Sequence, residues 1–229
     1  MPQVEVLTPQ LAANDATVVG DKAAPTDRRL LLHGVRWQTY EALLADLDGS
    51  GVRLTYDRGD LEIMSPSADH ESAKHLLCLL VAALADELDV RVRGFGSTTF
   101  RRELRERGLE ADECYYVANE PAVRGKRNLD LAVDPPPDVA MEIEVSRSAV
   151  ARLPLYAALK VPEVWRYDGD SLRIFRLQAD GTYAETDRSE CFPQIAIKEL
   201  ARFLVQRDES DETTIVRAFR KWVRTARGG

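Results

Sequence analysis

Residues 138–146 constrain the fold of this chain more than any other segment. Three consecutive prolines at 135–137 come directly before them, and proline can neither continue a helix nor donate a hydrogen bond within a sheet. The residues that follow alternate with a period of two, which predicts a β-strand whose side chains point in turn to opposite faces. One face is apolar and carries Val139, Met141, Ile143 and Val145. The other face carries Asp138, Ala140, Glu142 and Glu144.

Three carboxylates on one strand face allow two interpretations. The simpler one is an amphipathic strand with an acidic, solvent-exposed face, because most charged side chains in proteins are exposed. The other is a cation site, because neighbouring carboxylates repel one another unless a cation lies between them. Oxygen ligands on a rigid strand suit Mg²⁺ or Mn²⁺. The pattern of this segment alone leaves both interpretations open.

Length and composition predict one large globular domain. The chain has 229 residues, of which 45% are hydrophobic and 30% charged, enough for a sizeable core. No apolar run approaches the ~20 residues that span a bilayer, and residues 1–22 lack the pattern of a secretory signal. The three cysteines, Cys78, Cys114 and Cys191, form neither a disulfide framework nor a Cys-x-x-Cys metal site. We therefore expect a cytoplasmic protein without a membrane partner.

The net charge of −7 bears on nucleic-acid binding. A protein that coats nucleic acid without regard to sequence usually carries a basic surface, so an acidic balance argues against that class. The charge does not exclude a nuclease, because the basic patch of a nuclease can be local.

The order of the predicted elements indicates an α/β domain with a mixed β-sheet flanked by helices. We expect a tail at residues 1–27, the domain at 28–207, and a C-terminal helix at 208–229 that packs on the domain or lies in an oligomer interface. Apolar periodicity predicts helices near 37–47, 70–88, 149–159, 197–205 and 211–227. Besides 138–146, strands are expected at 52–56, 61–64, 90–95, 98–102, 114–117, 164–167 and 172–177.

Four ordered blocks of this sequence resemble the Uma2 family of putative restriction endonucleases, which belongs to the PD-(D/E)XK nuclease superfamily. The blocks are MSPSADHE at 64–71, GLEADECYYV at 108–117, PPDVAMEIE at 136–144 and YAALKVPEVWRY at 156–167. The resemblance covers about residues 30–205. It implies a restriction-endonuclease-like core and an enzyme that hydrolyses phosphodiester bonds in DNA.

The resemblance implies a role for several matched residues. Asp112 corresponds to the first metal-binding aspartate of the superfamily, and Glu142 to the acidic residue of its second half-motif. The carbonyl of Ile143 would complete the metal coordination. A magnesium or manganese ion would polarise the scissile phosphate and activate a water molecule. His70 lies in a block that carries a histidine in the family, and we expect it to support the site or to contact the substrate.

The sequence departs from the superfamily pattern at two positions. Ala111 replaces the usual proline, which shapes the backbone and carries no ligand. Glu144 replaces the usual lysine, and a carboxylate cannot stabilise the negative charge of a phosphate. The family assigns the basic role to the next helix, where Arg152 is the best match; an arginine can hold a phosphate through two hydrogen bonds but cannot act as a base. Glu144 is then expected to be a further metal ligand or to position the water.

The candidate site therefore comprises Asp112, Glu142, Glu144, Arg152 and His70, with the three carboxylates as metal ligands. Each residue also has an ordinary explanation, such as an exposed ion pair for Glu144 and Arg152. Three functions remain open: a magnesium-dependent DNA endonuclease, an inactive nuclease fold that binds nucleic acid or serves in assembly, and a hydrolase of small phosphate esters. We expect a homodimer, because two sites related by a twofold axis can cut both strands of a duplex.

Overall fold

The computed structural model describes residues 4–6, 26–102, 106–146 and 148–227. Within these ranges the strands form two six-stranded sheets. The first sheet is antiparallel throughout, with the spatial order β1 (Val4–Val6), β2 (Arg28–Leu32), β4 (Asp60–Ser65), β3 (Arg53–Asp57), β7 (Arg107–Ala111) and β6 (Thr98–Arg102). The second sheet has the order β12 (Tyr183–Thr186), β11 (Leu172–Leu177), β10 (Glu163–Tyr167), β9 (Val139–Ile143), β8 (Glu113–Tyr116) and β5 (Arg93–Gly94).

Helices cover the sheets. In chain order they are α1 (Trp37–Asp46), α2 (Ala68–Leu88), α3 (Glu120–Val123), α4 (Arg152–Leu159), α5 (Ala201–Leu204, between 3₁₀ turns at Ile197–Leu200 and Val205–Asp208) and α6 (Glu212–Arg227). Ser67 caps the N-terminus of the long helix α2: its Oγ accepts a hydrogen bond from His70 N at 3.1 Å. The helix ends before Asp89, which adopts left-handed backbone angles. Among the described residues, no helix combines the length and the apolar character needed to cross a bilayer.

Strand β9 lies inside the second sheet and is buried on both faces. Its apolar face shares a core cluster with α2, and Ala140 on the opposite face packs in a cluster with Leu155 of α4. Every residue of the strand is buried, Glu142 included. The interpretation of an exposed acidic face is therefore wrong, because helices cover both sides of this strand.

Helix α4 connects two parallel strands. β9 and β10 are parallel neighbours, and such a pair needs a crossover connection, which the chain makes through α4. The other pairs in this sheet are antiparallel, so the sheet is mixed, as predicted. The N-terminus of α4 lies close to the end of β9, and the helix then returns the chain to the start of β10.

The chain passes from the first sheet to the second at Asp112. β7 ends at Ala111 and β8 begins at Glu113. Ala111 pairs with Thr98 in the first sheet, whereas Glu113 pairs with Met141 in the second. A single residue therefore lies between two strands that belong to different sheets.

The structure confirms the predicted fold class, an α/β domain with mixed sheet structure flanked by helices, and differs from the sequence analysis in several respects, which include the unpredicted strands β7 and β12. The strands divide between two sheets rather than one, because pairing between distant strands leaves no local pattern. The predicted strand at 90–95 is reduced to Arg93–Gly94, and the bend after it includes Gly96 in left-handed backbone geometry. The predicted helix at 197–205 is a single α-helical turn between two 3₁₀ turns.

Parts of the predicted tail and the predicted C-terminal helix both contribute to the fold. Most of the predicted tail at 1–27 lies outside the described residues, but Val4–Val6 pairs with β2 and Asp27 is buried, so these positions belong to the fold. The predicted C-terminal helix is α6, which packs on α2. Its buried residues are Ile215, Phe219 and Val223.

Replacing Phe219 tests whether α6 is part of the folded domain. The Phe219 ring is fully buried, with its centroid 5.1 Å from that of Phe203 and 5.6 Å from that of Trp222. We expect Phe219→Ala to lower the free energy of unfolding by about 3–5 kcal/mol, because a large side chain is lost from a packed core. The exposed Lys221→Ala on the same helix should change it little. Chemical denaturation measures both values, and equal stability of the two variants would contradict the packing of α6.

Candidate functional site

Asp112 is a buried carboxylate held by a backbone amide. Its side chain is 2% exposed, and Oδ2 accepts a hydrogen bond from Ile143 N at 2.6 Å. This bond joins the junction between the sheets to the end of β9, where Glu142 lies. The two acidic residues that the sequence placed in separate motifs thus belong to one site.

Glu142 is held by two side chains from α4. Arg152 reaches both carboxylate oxygens, with Nε 2.9 Å from Oε2 and Nη2 donating to Oε1 at 2.9 Å. The Tyr156 hydroxyl donates a further hydrogen bond to Oε1. Burial and the charge of Glu142 raise the pKa of Tyr156 well above its ordinary value, so the hydroxyl remains a donor.

Arg152 also ties α4 to the first sheet. Its Nη1 donates to Thr55 Oγ1 at 2.8 Å, and its Nη2 donates to the Glu110 carbonyl. Burial alone would lower the pKa of Arg152, but the charge of Glu142, the neighbouring Tyr156 and the hydrogen bonds to both together raise it. Arg152 was expected to bind phosphate, but in the structure both of its Nη atoms donate to protein groups.

Glu144 lies just beyond the end of β9 and contacts Arg166. The guanidinium of Arg166 donates to Glu144 Oε2, and in the parallel pairing of β9 with β10 Arg166 lies opposite Glu142. The backbone amide of Glu144 donates to the Tyr167 carbonyl at 2.7 Å. The third predicted carboxylate therefore lines the same cavity as Glu142 but is paired with Arg166 rather than with Arg152.

His70 is fully buried between two aspartates. Its Nδ1 lies 3.3 Å from Asp27 Oδ2, and its Nε2 lies 3.3 Å from Asp112 Oδ1 and 3.0 Å from Arg53 Nη1. His70 thus lies in the first turn of α2, buried behind Asp112.

Arg53 and Asp27 belong to this network, but the sequence analysis did not identify them. Arg53 contacts Asp112 Oδ1 and forms an ion pair with Glu71 at 2.6 Å, and burial lowers its pKa. A charged residue within the predicted strand 52–56 is the one signal that could have drawn attention to it. Asp27 carried no such signal, since it follows a segment without periodicity.

A second pair fixes the loop between β9 and α4. Arg29 forms an ion pair with the buried Glu62 at 2.6 Å, and its Nε donates to Ser146 Oγ at 3.0 Å. Glu62 accepts hydrogen bonds from Ser148 Oγ at 2.9 Å and Ala149 N at 2.7 Å. The first sheet therefore positions the start of the helix that carries Arg152.

A cavity of about 320 Å³ brings four of the five predicted residues together. Its charged lining consists of Asp112, Glu142, Glu144, Arg29, Arg152 and Arg166. His70 lies behind Asp112, outside this lining. Asp138, the remaining carboxylate of the 138–146 segment, is elsewhere: its oxygens accept hydrogen bonds from the backbone of Val117 and from Asn119, which closes a loop at the other end of β9.

The donor atoms of the cavity fit a divalent cation in part. Asp112 and Glu142 bring carboxylate oxygens to one cavity, but Asp112 Oδ1 already lies against Arg53 and His70. Within the described ranges, however, no three His, Cys, Asp or Glu side chains are already gathered around one point as metal ligands. Asp112 and Glu142 would each have to exchange an arginine contact for the ion.

Comparison with known proteins connects this geometry to one family. The sequence profile of Uma2, a family described as putative restriction endonuclease, matches residues 37–202. That segment contains all five predicted site residues and excludes Asp27. A search of curated proteins found no match.

Replacing Asp27 tests the buried network through its dependence on pH. Burial alone would raise the pKa of Asp27, but its hydrogen bonds with His70, Ser67 N and Ser146 lower it well below its ordinary value. A lowered pKa contributes stability above about pH 4, and this stability is lost as the pH falls further. We therefore expect Asp27→Asn to lower the free energy of unfolding by about 1–3 kcal/mol at pH 7, with a smaller difference from the wild type at pH 3.

Denaturant titrations at both pH values measure these differences. Asp187→Asn, at a well-exposed position, is the matched control and should leave stability unchanged at both pH values. A difference between Asp27→Asn and the wild type that is equally large at pH 3 and pH 7 would contradict a role for the ionised carboxylate.

Proposed function

Because the chain belongs to the Uma2 family, and its α/β fold is the restriction-endonuclease-like fold that this family implies, we propose that it is a metal-dependent endonuclease that hydrolyses phosphodiester bonds in DNA. One observation carries the proposal beyond the family: Asp112 and Glu142, from distant motifs, line one cavity together with Glu144. Carboxylate oxygens gathered at one cavity are the ligands that Mg²⁺ and Mn²⁺ prefer.

We assign Asp112 and Glu142 as the residues that would hold Mg²⁺ or Mn²⁺, with Glu144 as a further ligand at the same cavity. When bound, the ion supplies Lewis acidity, which polarises the scissile phosphate and makes a water molecule more acidic. The protein fixes the orientation of the two carboxylates: the amide of Ile143 orients Asp112, and the hydroxyl of Tyr156 orients Glu142. His70, wedged between Asp27 and Asp112, restricts the movement of Asp112.

The substrate and assembly follow from the same proposal. DNA is the proposed partner, and the cavity carries three arginines beside its three carboxylates, so a net charge of −7 over the whole chain does not determine the local potential. A homodimer in the cytoplasm is proposed, since cutting both strands of a duplex is easiest with two sites related by a twofold axis. Sedimentation equilibrium tests the dimer directly.

An inactive nuclease fold that binds nucleic acid or serves in assembly is the second candidate. It is favoured by the ion pairs of the site, because Asp112, Glu142 and Glu144 each contact an arginine that would compete with a metal ion. The two candidates differ in metal binding: a nuclease must bind Mg²⁺ or Mn²⁺ at Asp112 and Glu142, whereas an inactive fold need not. Isothermal titration with Mn²⁺ separates them.

Cleavage assays of three variants test the nuclease proposal. We expect Asp112→Asn and Glu142→Gln each to reduce Mg²⁺-dependent cleavage of plasmid DNA by at least about 100-fold, because each removes a charged metal ligand. Glu185→Gln, at an exposed position of the edge strand β12, is the matched control and should cleave like the wild type. Thermal unfolding of all variants establishes that they are folded.

Two results would contradict this proposal. Folded wild-type protein that cleaves neither plasmid nor single-stranded DNA with Mg²⁺ or Mn²⁺ would favour the inactive fold. Cleavage that survives in both Asp112→Asn and Glu142→Gln would show that the reaction takes place at another site.

A further inference from the structure

The carboxylates of the cavity would repel the phosphates of a bound DNA. A phosphodiester is anionic, and its hydrolysis increases the negative charge on the phosphate oxygens in the transition state. Three carboxylates line the cavity, and position 144, where the superfamily has lysine, is glutamate. A cation with free hydrogen-bond donors must therefore face the phosphate from another position.

Two of the three arginines in the cavity lining are committed to the fold. Arg29 is 7% exposed and binds Asp27, Glu62 and Ser146. Arg152 is 12% exposed and binds Glu142 through two nitrogens, with its remaining contacts on the first sheet. Turning either guanidinium toward a substrate would leave a buried carboxylate without its partner, at a cost of several kcal/mol.

Arg166 differs from the other two arginines in exposure and in contacts. Its side chain is 25% exposed, and the hydrogen bond observed for its guanidinium is to the half-buried Glu144. The guanidinium carbon lies 5.6 Å from the centroid of the Phe175 ring, a contact that positions the group without using its N–H donors. Donors therefore remain to bind a phosphate in a bidentate manner.

The sheet places Arg166 beside the position of the missing lysine. Glu144 follows Glu142 by two residues, so both lie toward the same side of β9, and Arg166 is the residue of β10 opposite Glu142. Neighbouring strands are about 4.8 Å apart. Arg166 thus delivers a positive charge to the place that a lysine at 144 would occupy, and Glu144 holds it there.

We propose that Arg166 binds the scissile phosphate and supplies the positive charge that residue 144 does not. This inference rests on the proposed nuclease function and extends it by a catalytic residue to which the resemblance assigned no role. Glu144 acquires a second role in this arrangement, because its ion pair orients Arg166 toward the cavity.

Arg173 offers a matched control. It lies opposite Arg166 in the antiparallel pairing of β10 with β11, and its guanidinium carbon is 5.8 Å from the same Phe175 ring. Arg173 does not line the cavity. Replacing either arginine by alanine removes one positive charge and one contact with Phe175. Of the two guanidinium groups removed, only that of Arg166 lines the cavity.

The experiment compares Arg166→Ala, Arg166→Lys and Arg173→Ala in cleavage and binding. We expect Arg166→Ala to lower kcat by about 100-fold with a smaller change in KM, as for loss of one donor to a transition-state oxyanion. Arg166→Lys should recover part of the lost kcat, because it retains the charge but cannot form both bonds of the planar guanidinium, and Arg173→Ala should match the wild type. With Ca²⁺ and a short DNA duplex, Arg166→Ala should reduce the slope of log affinity against log salt by about one.

The outcomes separate this inference from the function on which it rests. If the wild type cleaves and Arg166→Ala equals Arg173→Ala in both assays, the role of Arg166 is overturned while the nuclease proposal stands. If the folded wild type cleaves no DNA, the nuclease proposal fails and the inference fails with it. Loss of kcat in Arg166→Ala without rescue by lysine, together with a lowered melting temperature, would assign Arg166 a structural role instead.

Discussion

The hydrogen bond from Ile143 N to Asp112 Oδ2 connects the two sheets at the centre of the molecule. A carboxylate without partners would not remain ionised at such a depth, because burial disfavours the charged form. The amide of β9 satisfies one oxygen of Asp112, and Arg53 and His70 lie beside the other. The candidate site thus depends on interactions that also hold the sheets together.

The same solution recurs around the cavity, where buried acidic groups are compensated by arginines from distant parts of the chain. Glu62 binds Arg29, and Glu142 binds Arg152. Ion pairs of this depth contribute little net stability, because desolvation offsets the attraction, but loss of one partner is costly. The arrangement therefore fixes geometry more than it increases stability. Glu144 and Arg166, which are more exposed, are the pair with the greatest freedom to exchange partners.

The sequence predicted the acidic residues of the site better than their surroundings. The period-two strand drew attention to Glu142 and the family resemblance to Asp112, and the structure brings both to one cavity. Arg53 and Asp27 come near them only because distant segments of the chain pair in the fold, and such pairing cannot be read from the local sequence pattern. The division of the strands into two sheets was missed for the same reason. The exposed acidic face was a wrong interpretation because burial of β9 depends on helices far along the chain.

The single residue between β7 and β8 leaves this part of the chain no freedom in length. Both strands are anchored by their neighbours, since Ala111 pairs with Thr98 and Glu113 with Met141. Side chains of a strand alternate between faces, so one inserted residue would turn every side chain of β8 to the wrong side. Loops elsewhere in the fold tolerate insertions, but this junction cannot lengthen or shorten. Among diverged sequences that keep this fold, the spacing across the junction should be the same, even where the surrounding residues differ.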